Sequence, residues 1–159
     1  MTTQVKNRLK VEVNGIAIDC GTDARVLDAI KSAGFDVPTL CYDERTGPQG
    51  TCRLCLVDVE VNGQIQQIAA CTTFASPEMR VETHSDSITD YRKTILEMLL
   101  SETSSPTNCP KCVSFKECEL HTAAEEYDAK WDAFSSLVTR EKAKDDNPFI
   151  QRDYDYCIS

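Results

Sequence analysis

Apolar and polar residues alternate near the start of the chain. Leu9, Val11 and Val13 share one side, and Lys10 and Glu12 the other. Asn14-Gly15 follows, the pair favoured in two-residue hairpin turns, and Ile16 and Ile18 resume the alternation. The pattern predicts a β-hairpin with one buried face. Val26, Leu27 and Ile30 then fall on one helical face, with Thr22 or Asp23 as the expected N-cap and Gly34 as the stop. The chain therefore opens β–β–α. Pro38, Gly47, Pro48 and Gly50 mark residues 37–51 as a loop. A third strand is expected over residues 53–61. One of its faces, Cys55, Val57, Val59 and Val61, is apolar throughout, while the other passes from Leu54 and Leu56 to Asp58 and Glu60. Its first half should be buried on both sides and its second half solvated on one. Asn62-Gly63 turns the chain into a strand over 64–70, and residues 79–82 look like a last short one.

The period changes at Ser85. Ile88, Tyr91, Ile95, Met98 and Leu99 recur mostly at spacings of three and four, which predicts an amphipathic helix capped by Ser85 or Ser87 and ending near Ser101. A polar stretch and a short cysteine loop, Cys109 to Cys118, come next. Residues 117–137 read as one or two helices interrupted near Tyr127, and residues 145–159 as a polar tail with a strand-like Phe149-Ile150-Gln151. The expected class is α+β: a domain over 1–83, a small mainly helical cysteine-loop domain over 84–144, and the tail over 145–159.

Composition sharpens this picture in three ways. The 159 residues suffice for one domain with a sizeable core or for two small ones. A formal net charge of −9 repels phosphate backbones, so nucleic acid is excluded as an expected partner, and it fits docking to a basic protein surface. The opening MTTQVKNRLK is polar and basic rather than a secretory signal, and no apolar run approaches the ~18 residues of a spanning helix. The expectation is a cytoplasmic, soluble protein without membrane insertion. In a reducing compartment the nine cysteines are poor candidates for disulfides, and metal or redox chemistry accounts for them better.

Cys41, Cys52, Cys55 and Cys71 form the first cysteine group. Ten residues separate the first two, two the next pair and fifteen the last. Four thiolates suit a [2Fe–2S] cluster, in which each iron takes two protein sulfurs and two bridging sulfides. Gly50 would let the backbone approach the sulfides, and Arg53 would set positive charge beside an anionic cluster. Two other readings are weaker. A thioredoxin-type Cys-x-x-Cys opens a helix, whereas here a strand follows. A four-cysteine zinc site usually takes two close pairs, and there is one. Cys20, at a strand end outside both groups, is expected to pack in the core, and His84 to be a solvated strand-end residue.

The run PTLCYDERTGPQGTCRLCLVDVEVNGQIQQIAACTT, with its CRLCLV segment, resembles a known family. This is the N-terminal iron–sulfur region shared by the large iron–sulfur subunit of complex I, the diaphorase subunits of NAD-linked hydrogenases, [FeFe] hydrogenases and NAD-dependent formate dehydrogenases. The resemblance implies a β-grasp ferredoxin fold for the first domain. It also implies a [4Fe–4S] cluster for the second, held by Cys109, Cys112 and Cys118. The family's fourth ligand is a histidine followed by proline. Here Pro106 is preceded by Ser105, a hard oxygen donor and a poor iron ligand unless deprotonated. Three arrangements stay open: Ser105 ligates, His121 replaces it, or the cluster is incomplete. Read on spacing alone, Cys109, Cys112, Cys118 and His121 also make a plausible zinc set and thus an interaction module. The run PFIQRDYDYCIS resembles the family's entry into a further cluster domain, with Cys157 at that domain's first ligand position. Either the chain is a fragment of a longer protein, or Cys157 is spare in a shortened subunit.

No nucleophile–base pair, phosphate-binding glycine loop or nucleotide fingerprint stands out, so no catalytic residue is assigned. The expected function is single-electron relay in a multisubunit NAD-linked oxidoreductase, between a flavin/NAD(H)-binding subunit and a catalytic subunit. The alternative is the N-terminal part of a longer catalytic chain.

Overall fold

The computed structural model describes residues 8–103, 112, 118–134 and 148–149. The expected sites at Ser105, Cys109 and Cys157, and most of the tail, lie outside the described residues.

β1 (Arg8–Val13) and β2 (Ile16–Gly21) form the predicted hairpin, with Val13 opposite Ile16 and Arg8 opposite Gly21. Asn14 and Gly15 both adopt positive φ, 48° and 81°, as a two-residue turn of this hand requires. α1 (Val26–Ser32) then buries Val26, Leu27, Ala29 and Ile30. Its start corrects the expectation, because neither Thr22 nor Asp23 caps it. Arg25 stands at the N-cap, and its N–H donates to the Asp28 carboxylate at 2.9 Å. The N–H groups of Val26 and Leu27 donate to the carbonyls of Thr73 and Ala70, at 2.9 and 3.0 Å. A distant turn thus satisfies the donors that a local cap would otherwise take.

Residues 37–51 are not loop throughout: β3 (Tyr42–Asp43) and β4 (Gly47–Pro48) make a short antiparallel ladder. β5 (Leu56–Val61) begins later than expected. Arg53 takes φ 59°, and Leu54 and Cys55 lie in a turn ahead of the strand. Within β5, Val57 and Val59 are buried while Asp58 and Glu60 are partly exposed; Val61, at its end, reaches solvent. β6 (Gln64–Ala69) and β7 (Arg80–Glu82) complete a five-stranded sheet of order β2-β1-β7-β5-β6. β1 and β7 are parallel and the other neighbours antiparallel. Val11, Val13, Val57, Val59 and Val81 from the sheet and Leu27 and Ile30 from α1 share one core. This is the mixed-sheet, α+β arrangement expected.

β7 stops at Glu82 because the chain turns away. The Thr83 N–H donates to Asn14 Oδ1 at 2.9 Å, and the Asn14 amide donates to Thr83 Oγ1 at 2.8 Å. α2 (Asp86–Glu102) follows, and Ser85 is its cap: its Oγ accepts the Ile88 N–H at 3.2 Å. The buried stripe of α2 is Ile88, Arg92, Leu96 and Leu100, whereas Tyr91 and Met98, expected on it, are 51% and 55% exposed. A charged residue in the stripe shifted the predicted phase.

The chain divides into two compact units, 1–92 and 93–159. In the second, α3 (Glu119–Glu126) begins after Cys118, ends at Tyr127 where an interruption was expected, and buries Ala123 and Ala124. No helix among the described residues is long and apolar enough to cross a membrane.

Candidate metal centre

The first cysteine group gathers where the sheet hands over to its loops. Leu56 is paired with Ala69 across β5 and β6, so Cys55 and Cys71, just beyond the two strands, meet. The Ala70 N–H donates to the Cys55 carbonyl at 3.0 Å, and the two Sγ atoms are 3.3 Å apart, each residue only 1% exposed. Cys41 and Cys52 form a second, half-buried pair, in which the Cys52 N–H points at Cys41 Sγ across 3.4 Å. The loop that carries Cys52 meets the turn that carries Cys71 at Gly50 and Thr72. Gly50 is held against a neighbouring turn. With φ 69°, a Cβ there would lie 2.9 Å from Thr72 Cγ2, so the loop before Cys52 passes against the turn carrying Cys71 with no room for a side chain.

Cys41 and Cys55 differ electrostatically. Burial pushes the Cys55 thiol up to about 11, and the neighbouring Cys71 and Cys41 add to the rise. Burial raises Cys52 as well. At Cys41 burial acts the same way, but hydrogen bonds from Cys52 and Thr51 outweigh it and bring the thiol down to about 7. The outer sulfur becomes thiolate near neutrality unaided. The inner one needs a cation or a metal to draw off its proton.

Two arginines that the sequence reading passed over hold the inner pair in place. Arg25 donates to the carbonyls of Cys71 and Thr72, at 3.2 and 3.4 Å, and its guanidinium lies 5.1 Å from the centroid of the Phe74 ring. Arg92, 0% exposed, donates through Nε to the Leu54 carbonyl at 3.0 Å and through a terminal nitrogen to the Leu56 carbonyl at 2.8 Å. Hydrogen bonds from a charged donor contribute about 1.5–3 kcal/mol each. The signal for Arg92 was present in the sequence: it stands four residues after Ile88 and four before Leu96, in register with the buried stripe. Arg53, expected to supply positive charge, is exposed, and its left-handed backbone shapes the turn between Cys52 and Cys55.

Two thiol pairs, on a loop and a turn that meet at Gly50 and Thr72, suit two irons with two protein sulfurs each. Among the described residues, no three His, Cys, Asp or Glu side chains converge as the ligands of one ion would.

Of the second group, Cys112 and Cys118 are half-buried, and Cys118 is the N-cap of α3. His121 Nε2 lies 3.4 Å from Glu125 Oε1, and its ring meets Trp131 edge-on at 6.2 Å between centroids. Cys20 is partly buried against the core and His84 is exposed beyond β7, both as expected.

The fold and these sulfurs define an iron–sulfur protein. Residues 6–86 match the 2Fe-2S iron-sulfur cluster binding domain, and the chain belongs to that family. Residues 92–130 match the NADH-ubiquinone oxidoreductase-G iron-sulfur binding region, so the resemblance read from the sequence holds for both parts. The chain is 30% identical over 150 residues to the NADPH-Fe(3+) oxidoreductase subunit alpha of Geobacter sulfurreducens, covering 94% of this chain and 17% of that one. It is 32% identical over 155 residues to the NADP-reducing hydrogenase subunit HndD of Solidesulfovibrio fructosivorans, covering 94% and 26%. A crystal structure of an NAD+-reducing [NiFe]-hydrogenase in the H2-reduced state superimposes with a TM-score of 0.70 at 30% identity, covering 84% of this chain and 55% of that one. The chain therefore spans about a sixth to a quarter of the two curated relatives' length, and is an iron–sulfur module of the kind found in NAD(P)-linked oxidoreductases.

Proposed function

We propose that this chain relays single electrons within a multisubunit NAD-linked oxidoreductase of hydrogenase, formate dehydrogenase or NADH dehydrogenase type. Its partners in this reading are a flavin/NAD(H)-binding subunit and a catalytic subunit. Cys41, Cys52, Cys55 and Cys71 hold a [2Fe–2S] cluster in the domain over 1–83. Cys109, Cys112 and Cys118 hold a [4Fe–4S] cluster in the region over 84–144, with Ser105 or His121 as its fourth ligand. The observation that carries the reading is that three separate stretches of chain bring the four cysteines into two thiol pairs, Cys41 with Cys52 and Cys55 with Cys71. When bound, the clusters supply reversible one-electron storage. The protein's own part is to hold the sulfurs, to set N–H groups and guanidinium charge around them, and to exclude water from the inner pair.

In the curated relatives the matched region is part of a longer chain, which favours a second reading: the N-terminal part of a chain that also carries a catalytic site. Anaerobic iron and sulfide analysis with EPR tests both clusters. About six irons per chain are expected, and about two would leave only the first cluster. A colourless, zinc-containing sample would overturn the reading.

A further inference from the structure

Arg92 is the one charged side chain that is completely buried among the described residues, and its surroundings give it a task. The Cys55 carbonyl faces β6, where it accepts the Ala70 N–H. The Leu56 carbonyl, next along the chain, faces the opposite edge, and the Leu54 carbonyl accepts from the same guanidinium as it does. On that edge β7 pairs with β5 only from Asp58 onward, opposite Glu82, and then leaves with Thr83. Among the described residues no strand pairs with Leu54 or Leu56 on that edge, and the guanidinium of Arg92 spans both carbonyls. The guanidinium is thus fixed, out of water, against the backbone on either side of Cys55. A backbone amide from another strand would have satisfied the same carbonyls without a net charge.

We propose that Arg92 is a positioning residue that also sets the reduction potential of the cluster held by Cys55. The inference rests on the ligand reading above. Reduction adds one electron to a site that is already anionic, and a buried cation favours the more negative state. Solvent screens such a charge little at this depth. Removing the charge should therefore make the cluster harder to reduce, even where the carbonyls keep a donor.

The test is an EPR-monitored redox titration of the whole chain carrying Arg92→Gln, Arg92→Lys or Arg92→Met, with iron and sulfide counted in each sample. Glutamine keeps a hydrogen-bond donor without charge; lysine keeps the charge without the fork. At a fixed potential, the reduced-to-oxidised ratio is expected to fall about tenfold in the Gln and Met variants, a shift of ~59 mV for a one-electron couple. The Lys variant should stay within about twofold of the parent. A Gln variant that titrates like the parent, or a Lys variant that falls with Gln, overturns the proposal and leaves Arg92 a purely structural clamp. If the parent shows no [2Fe–2S] signal, it is the ligand reading that has failed.

Discussion

The two thiol pairs of the first cysteine group lie in contrasting surroundings. Cys55 and Cys71 sit at the mouth of a β-ladder, cut off from water, with backbone carbonyls on either side of them clasped by arginines. Cys41 and Cys52 sit on a loop that is half open to solvent, and an N–H points at the Cys41 sulfur. Burial alone would keep the Cys55 sulfur protonated, while local hydrogen bonding already favours the Cys41 thiolate. The sheet supplies rigidity on one side of the site, and the loop supplies access and readily formed charge on the other.

The strongest break in this symmetry should come from substituting an inner ligand. Cys55→Ala is expected to abolish the [2Fe–2S] EPR signal of the reduced chain, whereas Cys41→Ser, on the open side, should leave a weaker signal of altered shape. Equal loss in both would show that the two pairs do not differ in this respect. Next in size is thiol reactivity after iron has been stripped under reducing conditions. Near pH 7 Cys41 is about half thiolate and Cys55 almost wholly protonated, so iodoacetamide should modify Cys41 more than tenfold faster, as read by peptide mass mapping. The gap should close as pH rises towards 11. The same depressed value at Cys41 gives the stripped chain stability that is fully present above the ordinary thiol range. That stability is lost as pH falls through about 7. The smallest effect is expected at Arg25. It is only partly buried, so solvent screens its charge, and Arg25→Gln should change the reduced-to-oxidised ratio by less than about threefold. A larger change there than at Arg92 would reverse the assigned weights of the two cations.

Much of this was legible in the residue order where the cause is local. Asn14-Gly15 announced its turn because the backbone there must adopt positive φ, and Ser85 announced the start of α2 because its hydroxyl satisfies an N–H three residues on. Spacing and the CRLCLV run grouped the four cysteines that the structure brings into two pairs. What stayed hidden depends on distant partners. The start of α1 is fixed by carbonyls of the turn at 70–73, which no local pattern reveals. The late start of β5 follows from a left-handed Arg53, a conformation that arginine has no preference for. The face of α2 was misphased because Arg92 looks like a surface residue until the two carbonyls it serves are known.

The turn that carries Cys71 has a second occupation. By accepting the opening amides of α1, it ties the fate of that helix to whatever keeps the turn in shape. An inorganic core gripped by Cys71 would then act as a distant rivet for α1, and its departure would loosen secondary structure that touches no metal. Loss of the cofactor and fraying of a helix would be two views of one event.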